Sequence, residues 1–193
     1  MDNIILIFDG NLICHVMKYA LSKGMTYKGS NTEIIYGFLK QTQSLAKRFE
    51  TNKIIFCWDS LTSKRKEINN QYKANRKKVY LDDEEKQQEI EAYKQFTELR
   101  VNVLPSIGFN NVIYQEGYES DDLIAEIVQN HSGSKKIVVT NDEDLFQLLD
   151  YCSLYNITKH SLTTKTLFER TYHITPKQWI KVKQIAGCKG DNI

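Results

Sequence analysis

Short apolar runs rich in β-branched residues recur along this chain, and acids follow each one. Ile4–Phe8 is followed by Asp9 and Ile54–Trp58 by Asp59. Val112–Tyr114 leads into Glu119, Asp121 and Asp122, and Ile137–Thr140 leads into Asp142 and Asp144. Such runs read as buried strands of a parallel sheet, at Ile4–Phe8, Lys53–Trp58, Asn111–Tyr114 and Lys136–Thr140, with a shorter strand at Cys152–Tyr155. Between them the pattern turns helical. Ser30-Asn31-Thr32-Glu33 reads as a capping box opening a helix to about Glu50, with Ile34, Phe38, Leu45 and Phe49 on one side. Ser120 reads as the cap of a helix to about Gln129, and Asn141 as the cap of a helix near Asp142–Leu149. Thr175 and Pro176 open a last helix, which Gly187 stops. Strands alternating with helices predict an α/β fold, a mostly parallel central sheet with helices on both faces.

The acids gain meaning from that fold class. In an open α/β sheet, ligands bind outside the carboxyl ends of the strands. Asp9, Asp59, Glu119, Asp121, Asp122, Asp142 and Asp144 are then expected at one end of one sheet. Charges crowded in this way shift their pKa values or bind cations. The set is all oxygen, with no clustered His or Cys, which favours Mg²⁺ or Mn²⁺ over zinc. Two such ions about 3.5–4 Å apart clamp the attacking and leaving oxygens of a phosphodiester displacement. Any one of these acid groups alone also reads as ordinary helix-start or turn acids. Their coincidence after four strands favours a metal centre.

Composition narrows the setting. With 193 residues and 41% hydrophobic content, residues 1–193 read as a single domain. Cys14, Cys57, Cys152 and Cys188 form no CxxC pair, so a reduced, cytoplasmic protein is expected. The start of the chain resembles neither a signal peptide nor a membrane span, and no membrane partner is expected. The net charge of +2 names no partner, but its distribution does. Lys64, Arg65, Lys66, Lys73, Arg76, Lys77 and Lys78 crowd one stretch, with Tyr72 and Tyr80 interleaved and Glu67 the lone acid. Basic groups contact phosphates and tyrosines stack on bases. The acids from Asp82 to Glu91 follow directly, so a solvated helix pair laced by salt bridges is the plainer reading.

Taken together, Phe8-Asp9-Gly10, Trp58-Asp59, Tyr72-Lys73-Ala74-Asn75-Arg76, Gly117-Tyr118-Glu119-Ser120-Asp121-Asp122, Thr140-Asn141-Asp142-Glu143-Asp144 and Gly190-Asp191-Asn192-Ile193 make the chain resemble the flap endonuclease and 5′-to-3′ exonuclease family. That family includes bacteriophage flap endonucleases and the N-terminal nuclease domains of bacterial repair polymerases. The resemblance runs over nearly the whole chain and implies a PIN-like nuclease core with a helical arch. It implies a hydrolase of replication or repair, cutting phosphodiester bonds at 5′ ends or 5′ flaps of DNA, in a bacterial or phage-infected cell, with possible action on the RNA of RNA–DNA hybrids. Asp9, Asp59, Glu119, Asp121 and Asp122 would hold a first metal, and Asp142, Asp144 and Asp191 a second. Lys73 and Arg76 would be the catalytic cations on the scissile phosphate, with Arg65, Tyr72, Lys77 and Lys78 beside them on the nucleic acid and Tyr72 offering a stacking face. The arch region, about residues 61–100, would let a single-stranded 5′ end pass.

Two departures qualify the resemblance. The family has an aspartate three residues before the position of Asp191, where this chain has Cys188, a poor Mg²⁺ ligand that is expected to weaken the second site. The chain also ends at Ile193, where the family opens a helix–loop–helix module that grips duplex DNA, so that module is expected to be missing or only begun. Two alternatives remain open: a degenerate nuclease fold that binds branched DNA without cleaving it, and a ribonuclease of the related small α/β superfamily.

Overall fold

The computed structural model describes residues 3–20, 24–74, 82–131 and 133–187. Four parallel strands carry the apolar runs. They are β1 (Ile4–Asp9), β4 (Ile54–Trp58), β5 (Val112–Tyr114) and β6 (Lys135–Val139). Two further strands, β7 (Ser153–Asn156) and β8 (Ser161–Thr163), complete one six-stranded sheet in the order β5-β4-β1-β6-β7-β8. Pairing is parallel except between β7 and β8. Helices on both faces make this the mostly parallel α/β sheet that the pattern predicts.

The period-2 geometry of strands sorts the core onto two faces. Leu6 and Phe8 of β1, Phe56 and Trp58 of β4, and Ile137 and Val139 of β6 point to one side. There they meet helix α1 (Gly10–Ala20), helix α2 (Glu33–Arg48) and helix α4 (Asp83–Glu98). Ile7, Cys57 and Val138 point to the other side, against helix α6 (Ser120–Asn130) and, further along the sheet, helix α7 (Lys165–Tyr172) and helix α8 (Pro176–Ala186). Both faces are covered, which is why the strands read as unbroken apolar runs. Because β1 lies between β4 and β6, the loops after all three meet at the same edge, where the chain reverses at each carboxyl end.

Several local expectations are corrected. The Ser30–Glu33 capping box does not form. Ser30 and Asn31 make strand β3, paired antiparallel with strand β2 (Thr26–Tyr27), and Thr32 takes the cap position of α2. The Thr32 hydroxyl donates to the Met25 carbonyl instead, closing this small hairpin. Ser120 is the first residue of α6 rather than its cap; Glu119 caps it in a reciprocal box with Asp122. The segment after β6 is a 3₁₀ turn, Glu143–Leu148, capped by Asp142, while the Asn141 side chain ties the loop to Ile157 and Thr158. The run after Asp9 gave no helical reading, yet it folds as α1 with Ile13, Cys14 and Met17 buried.

The basic stretch contains the short helix α3 (Lys64–Ile68). Helix α4, expected in the arch, packs its second half on the body, with Glu89, Ala92, Gln95 and Phe96 buried. Gln95 accepts from the Ile34 amide at the start of α2, and Lys18 of α1 pairs with Glu89. The chain then runs through a π-helical turn, Leu99–Val103, and helix α5 (Leu104–Ser106) into β5. Arg76, Lys77, Lys78, Cys188 and Asp191 lie outside the described residues.

Candidate active site

Asp9 and Asp59 stand at the carboxyl ends of neighbouring strands β1 and β4. The first turn of α6 is fastened to both. The Ser120 hydroxyl donates to Asp9 at 3.1 Å, and the Ser120 amide donates to Asp59 at 2.7 Å. Asp9 also accepts from the Leu12 amide at 3.2 Å, and Asn11 accepts from the Asp59 amide at 3.1 Å. These bonds set the distance between the strand ends and the helix. Burial raises the Asp9 carboxyl to about 7, and the negative charge of Asp59 adds to that, against the two hydrogen bonds that favour its ionised form.

The turn before α6 is stitched to the start of α3. Gly117 takes a φ of +84°, which glycine adopts without steric cost. Its amide donates to the Ser60 hydroxyl at 3.0 Å, its carbonyl accepts from the Lys64 amide at 3.0 Å, and the Ser60 amide reaches the Tyr118 carbonyl at 2.9 Å. Arg65 is thereby placed over the acids at the start of α6.

Glu119 is the most heavily bonded of these acids. Its Oε2 accepts from Arg65 Nη1 at 2.7 Å, Lys73 Nζ at 2.8 Å and the Tyr72 hydroxyl at 3.0 Å. Burial would raise its pKa, but Lys73, Arg65 and Tyr72 together hold it below the ordinary value. Arg65 also meets Asp122 at 2.5 Å and Asp121 at 3.5 Å. Asp121 rises to about 6, chiefly through burial and with Asp122 and Glu119 contributing, while Arg65 opposes the shift. Lys73 sits in the left-handed region at φ 56°, uncommon for a residue with a Cβ, with its ammonium on Glu119.

Tyr72 departs from expectation. It is only 5% exposed, its hydroxyl is bonded between Arg65 and Glu119, and the cations of Arg65 and Lys73 lie 5.8 and 5.0 Å from its ring centre. In this arrangement it presents no open stacking face. It is a hydrogen-bond relay within the site.

The structure therefore gathers Asp9, Asp59, Glu119, Asp121 and Asp122 with Arg65, Tyr72 and Lys73. Asp142 and Asp144 follow β6, the next strand beyond β1. Asp142 accepts from the Asp144 amide at 2.8 Å, and Asp144 pairs with Lys183 of α8 at 2.6 Å. The 3₁₀ turn that carries them is pinned by Trp179, whose Nε1 donates to the Glu143 carbonyl at 2.8 Å. Among the described residues, no group of three His, Cys, Asp or Glu surrounds a common point suited to a metal ion. The donor chemistry nonetheless fits a hard divalent cation: the acids are oxygen ligands, and the buried Asp9 lies close enough to the half-buried Asp59 for one charge to resist the other. Cys14, Cys57 and Cys152 are free and buried, and burial pushes Cys57 and Cys152 up to about 12, so neither behaves as a soft ligand here.

Asn11, Ser60 and Ser120 were not singled out as site residues. Their positions were visible beside Asp9, Asp59 and Glu119, but their bonds depend on strands brought together from distant sequence.

A sheet of this order, with acids at the ends of β1 and β4 and at the head of α6, defines an α/β fold with an acidic, cation-crossed site. The chain belongs to the family described as 5′-3′ exonuclease, N-terminal resolvase-like domain, whose model matches residues 4–173. It is 29% identical to the 5′-3′ exonuclease of Buchnera aphidicola subsp. Schizaphis graminum over 98% of this chain and 64% of that protein. It is also 29% identical to DNA polymerase I of Deinococcus radiodurans over 100% of this chain and 19% of that protein. The chain thus spans less than two thirds of either relative. Among solved structures, T5 D15 protein co-crystallised with metal ions superposes with a TM-score of 0.82 at 25% identity, covering 98% of this chain and 69% of that one.

Proposed function

We propose that residues 1–193 form the nuclease domain of a divalent-metal-dependent 5′ nuclease that hydrolyses phosphodiester bonds at 5′ ends or 5′ flaps of DNA, with the arch region spanning about residues 61–100. The observation that carries this reading is the joining of Asp9, Asp59 and the acids of α6 through Ser120, with Arg65 and Lys73 crossing them. The similarity to a 5′-3′ exonuclease over nearly the whole chain supports it. So does the likeness to T5 D15 protein with metal ions.

In this reading Asp9, Asp59, Glu119, Asp121 and Asp122 hold one Mg²⁺ or Mn²⁺. Asp142 and Asp144, with Asp191, serve a second, weaker one, because Cys188 replaces a carboxylate. A divalent ion bound there would lower the pKa of water and supply counter-charge to phosphate oxygens. The chain's own groups do the rest. Ser120 and Asn11 fix the spacing between Asp9 and Asp59. Lys73, together with Arg76, offsets charge that builds on the phosphate during displacement. Arg65, Lys77 and Lys78 add cations along the path of the backbone.

The test is cleavage of labelled DNA carrying a 5′ flap, a 3′ flap or no flap, and of an RNA–DNA hybrid, in Mg²⁺, Mn²⁺ or EDTA. Metal-dependent cutting confined to 5′-ended substrates is expected. Flap binding without cutting in either metal would replace this reading with a non-cleaving branched-DNA binder, and preference for RNA alone would replace it with a ribonuclease.

A further inference from the structure

Arg65 comes from neither the sheet nor α6. It is carried by α3, a five-residue helix with no buried residue. Yet its guanidinium touches all three acids at the head of α6: Nη1 lies 2.7 Å from Glu119 and 3.5 Å from Asp121, and Nη2 lies 2.5 Å from Asp122. Tyr72 fixes the fork from behind, accepting from Nη1 at 3.0 Å and donating to Glu119 at 3.0 Å. Lys73 supplies a second cation, to Glu119 at 2.8 Å.

A planar guanidinium that hydrogen-bonds two carboxylates and pairs with a third uses lone pairs a hard cation needs. A divalent ion drawing on the same oxygens competes with it, because Glu119 Oε2 already accepts from Arg65, Tyr72 and Lys73. The Arg65 side chain is 38% exposed, and because α3 buries nothing, moving it breaks little apolar packing. Resting on the nuclease reading above, we propose that Arg65 is a built-in counter-cation that competes with divalent metal for Glu119, Asp121 and Asp122 and withdraws as the metal binds. Part of the negative charge at the start of α6 is then offset when metal is scarce, and metal affinity is set partly by the strength of the Arg65 fork. A purely orienting Arg65 predicts the reverse, because its removal would loosen the carboxylates and weaken metal binding.

The experiment is a Mn²⁺ titration of the chelator-stripped full chain, followed by the electron paramagnetic resonance signal of free Mn²⁺, with Arg65→Gln and Arg65→Lys alongside. Arg65→Gln is expected to bind Mn²⁺ about tenfold tighter, within the range usual for coupled equilibria. Arg65→Lys should fall between it and the parent, because lysine keeps the charge but loses the fork. Melting supplies a second readout: Arg65→Gln should melt lower than the parent in chelator and gain more from added Mn²⁺. Unchanged or weaker Mn²⁺ binding in both variants overturns the competition while leaving the nuclease reading intact. If Arg65→Gln does not fold, the affinity of Arg65→Lys decides alone. Absence of saturable Mn²⁺ binding in the parent overturns the nuclease reading and this inference with it.

Discussion

The hydroxyl of Ser120 donates to the carboxylate of Asp9 at 3.1 Å, joining the first turn of α6 to the end of β1 across 111 residues of sequence. The bond is buried, so its loss is not repaid by water. Ser120→Ala keeps the amide that holds Asp59 but leaves Asp9 with one donor fewer. It should cost about 1–3 kcal/mol of stability, the usual range for orphaning a buried polar partner. Chemical denaturation measures this directly, and Ser120→Thr should recover most of the loss.

Asp9 gives a pH dependence with a definite sign. Its folded pKa, about 7, lies above the value of 3.8 for an exposed aspartate. The folded state therefore binds more protons between those values, and stability falls as pH rises from about 4 through 7. Asp9→Asn keeps an oxygen that accepts from Leu12 and Ser120 but carries no charge. In chelator it should melt higher than the parent at pH 8, by no more than about 4 kcal/mol for a shift of this size, and show no advantage near pH 4. Equal melting at both pH values would refute the assignment.

Gly10 is fixed by space rather than by backbone freedom. A Cβ there would stand 2.7 Å from the indole of Trp58 and 3.0 Å from the Cys57 carbonyl. Trp58 is itself stacked on Phe38 and cannot retreat freely. Gly10→Ala should destabilise by about 1–3 kcal/mol, as overpacking does. It should also impair cleavage, because Asp9 and Asp59 flank the clash. Pairing it with Trp58→Leu should restore part of the stability.

Lys73 separates chemistry from folding. Lys73→Met removes one of three donors to Glu119 and leaves Arg65 and Tyr72 in place. Steady-state kinetics should show kcat reduced by about 10²–10³-fold, as when one charge-stabilising donor is lost. The melting temperature should stay within about 3 °C, the shift of a 1 kcal/mol change in a domain of this size.

The sheet was readable in the sequence because both its faces are buried: Ile4–Phe8 and Lys136–Thr140 carry unbroken apolar runs, and their boundaries in β1 and β6 shift by a single residue. Caps were read less well. Ser30, Ser120 and Asn141 all have cap chemistry, yet their polar groups are engaged by partners far along the chain or by the β2–β3 hairpin. The edge strand β8 and helix α7, at three and eight residues, are short and left no reading. The acids were legible as a group because they follow strands. Their partners were not: Tyr72 has the composition of a stacking residue, and only the fold turns its hydroxyl onto Glu119. Arg65 reads in the sequence as a phosphate contact, and only the fold shows that it also spans three carboxylates.

If the acids at the ends of β1 and β4 and at the head of α6 form a metal-dependent cutting site, removing two of them abolishes cutting. Cleavage of a labelled 5′-flap DNA in Mg²⁺, Mn²⁺ and EDTA, with Asp121→Ala/Asp122→Ala beside the parent, tests it most directly. Cutting by the parent should need metal and disappear in the double variant, with Mn²⁺ outperforming Mg²⁺ if Cys188 weakens the second site. Metal-dependent cutting that survives loss of both aspartates would contradict it.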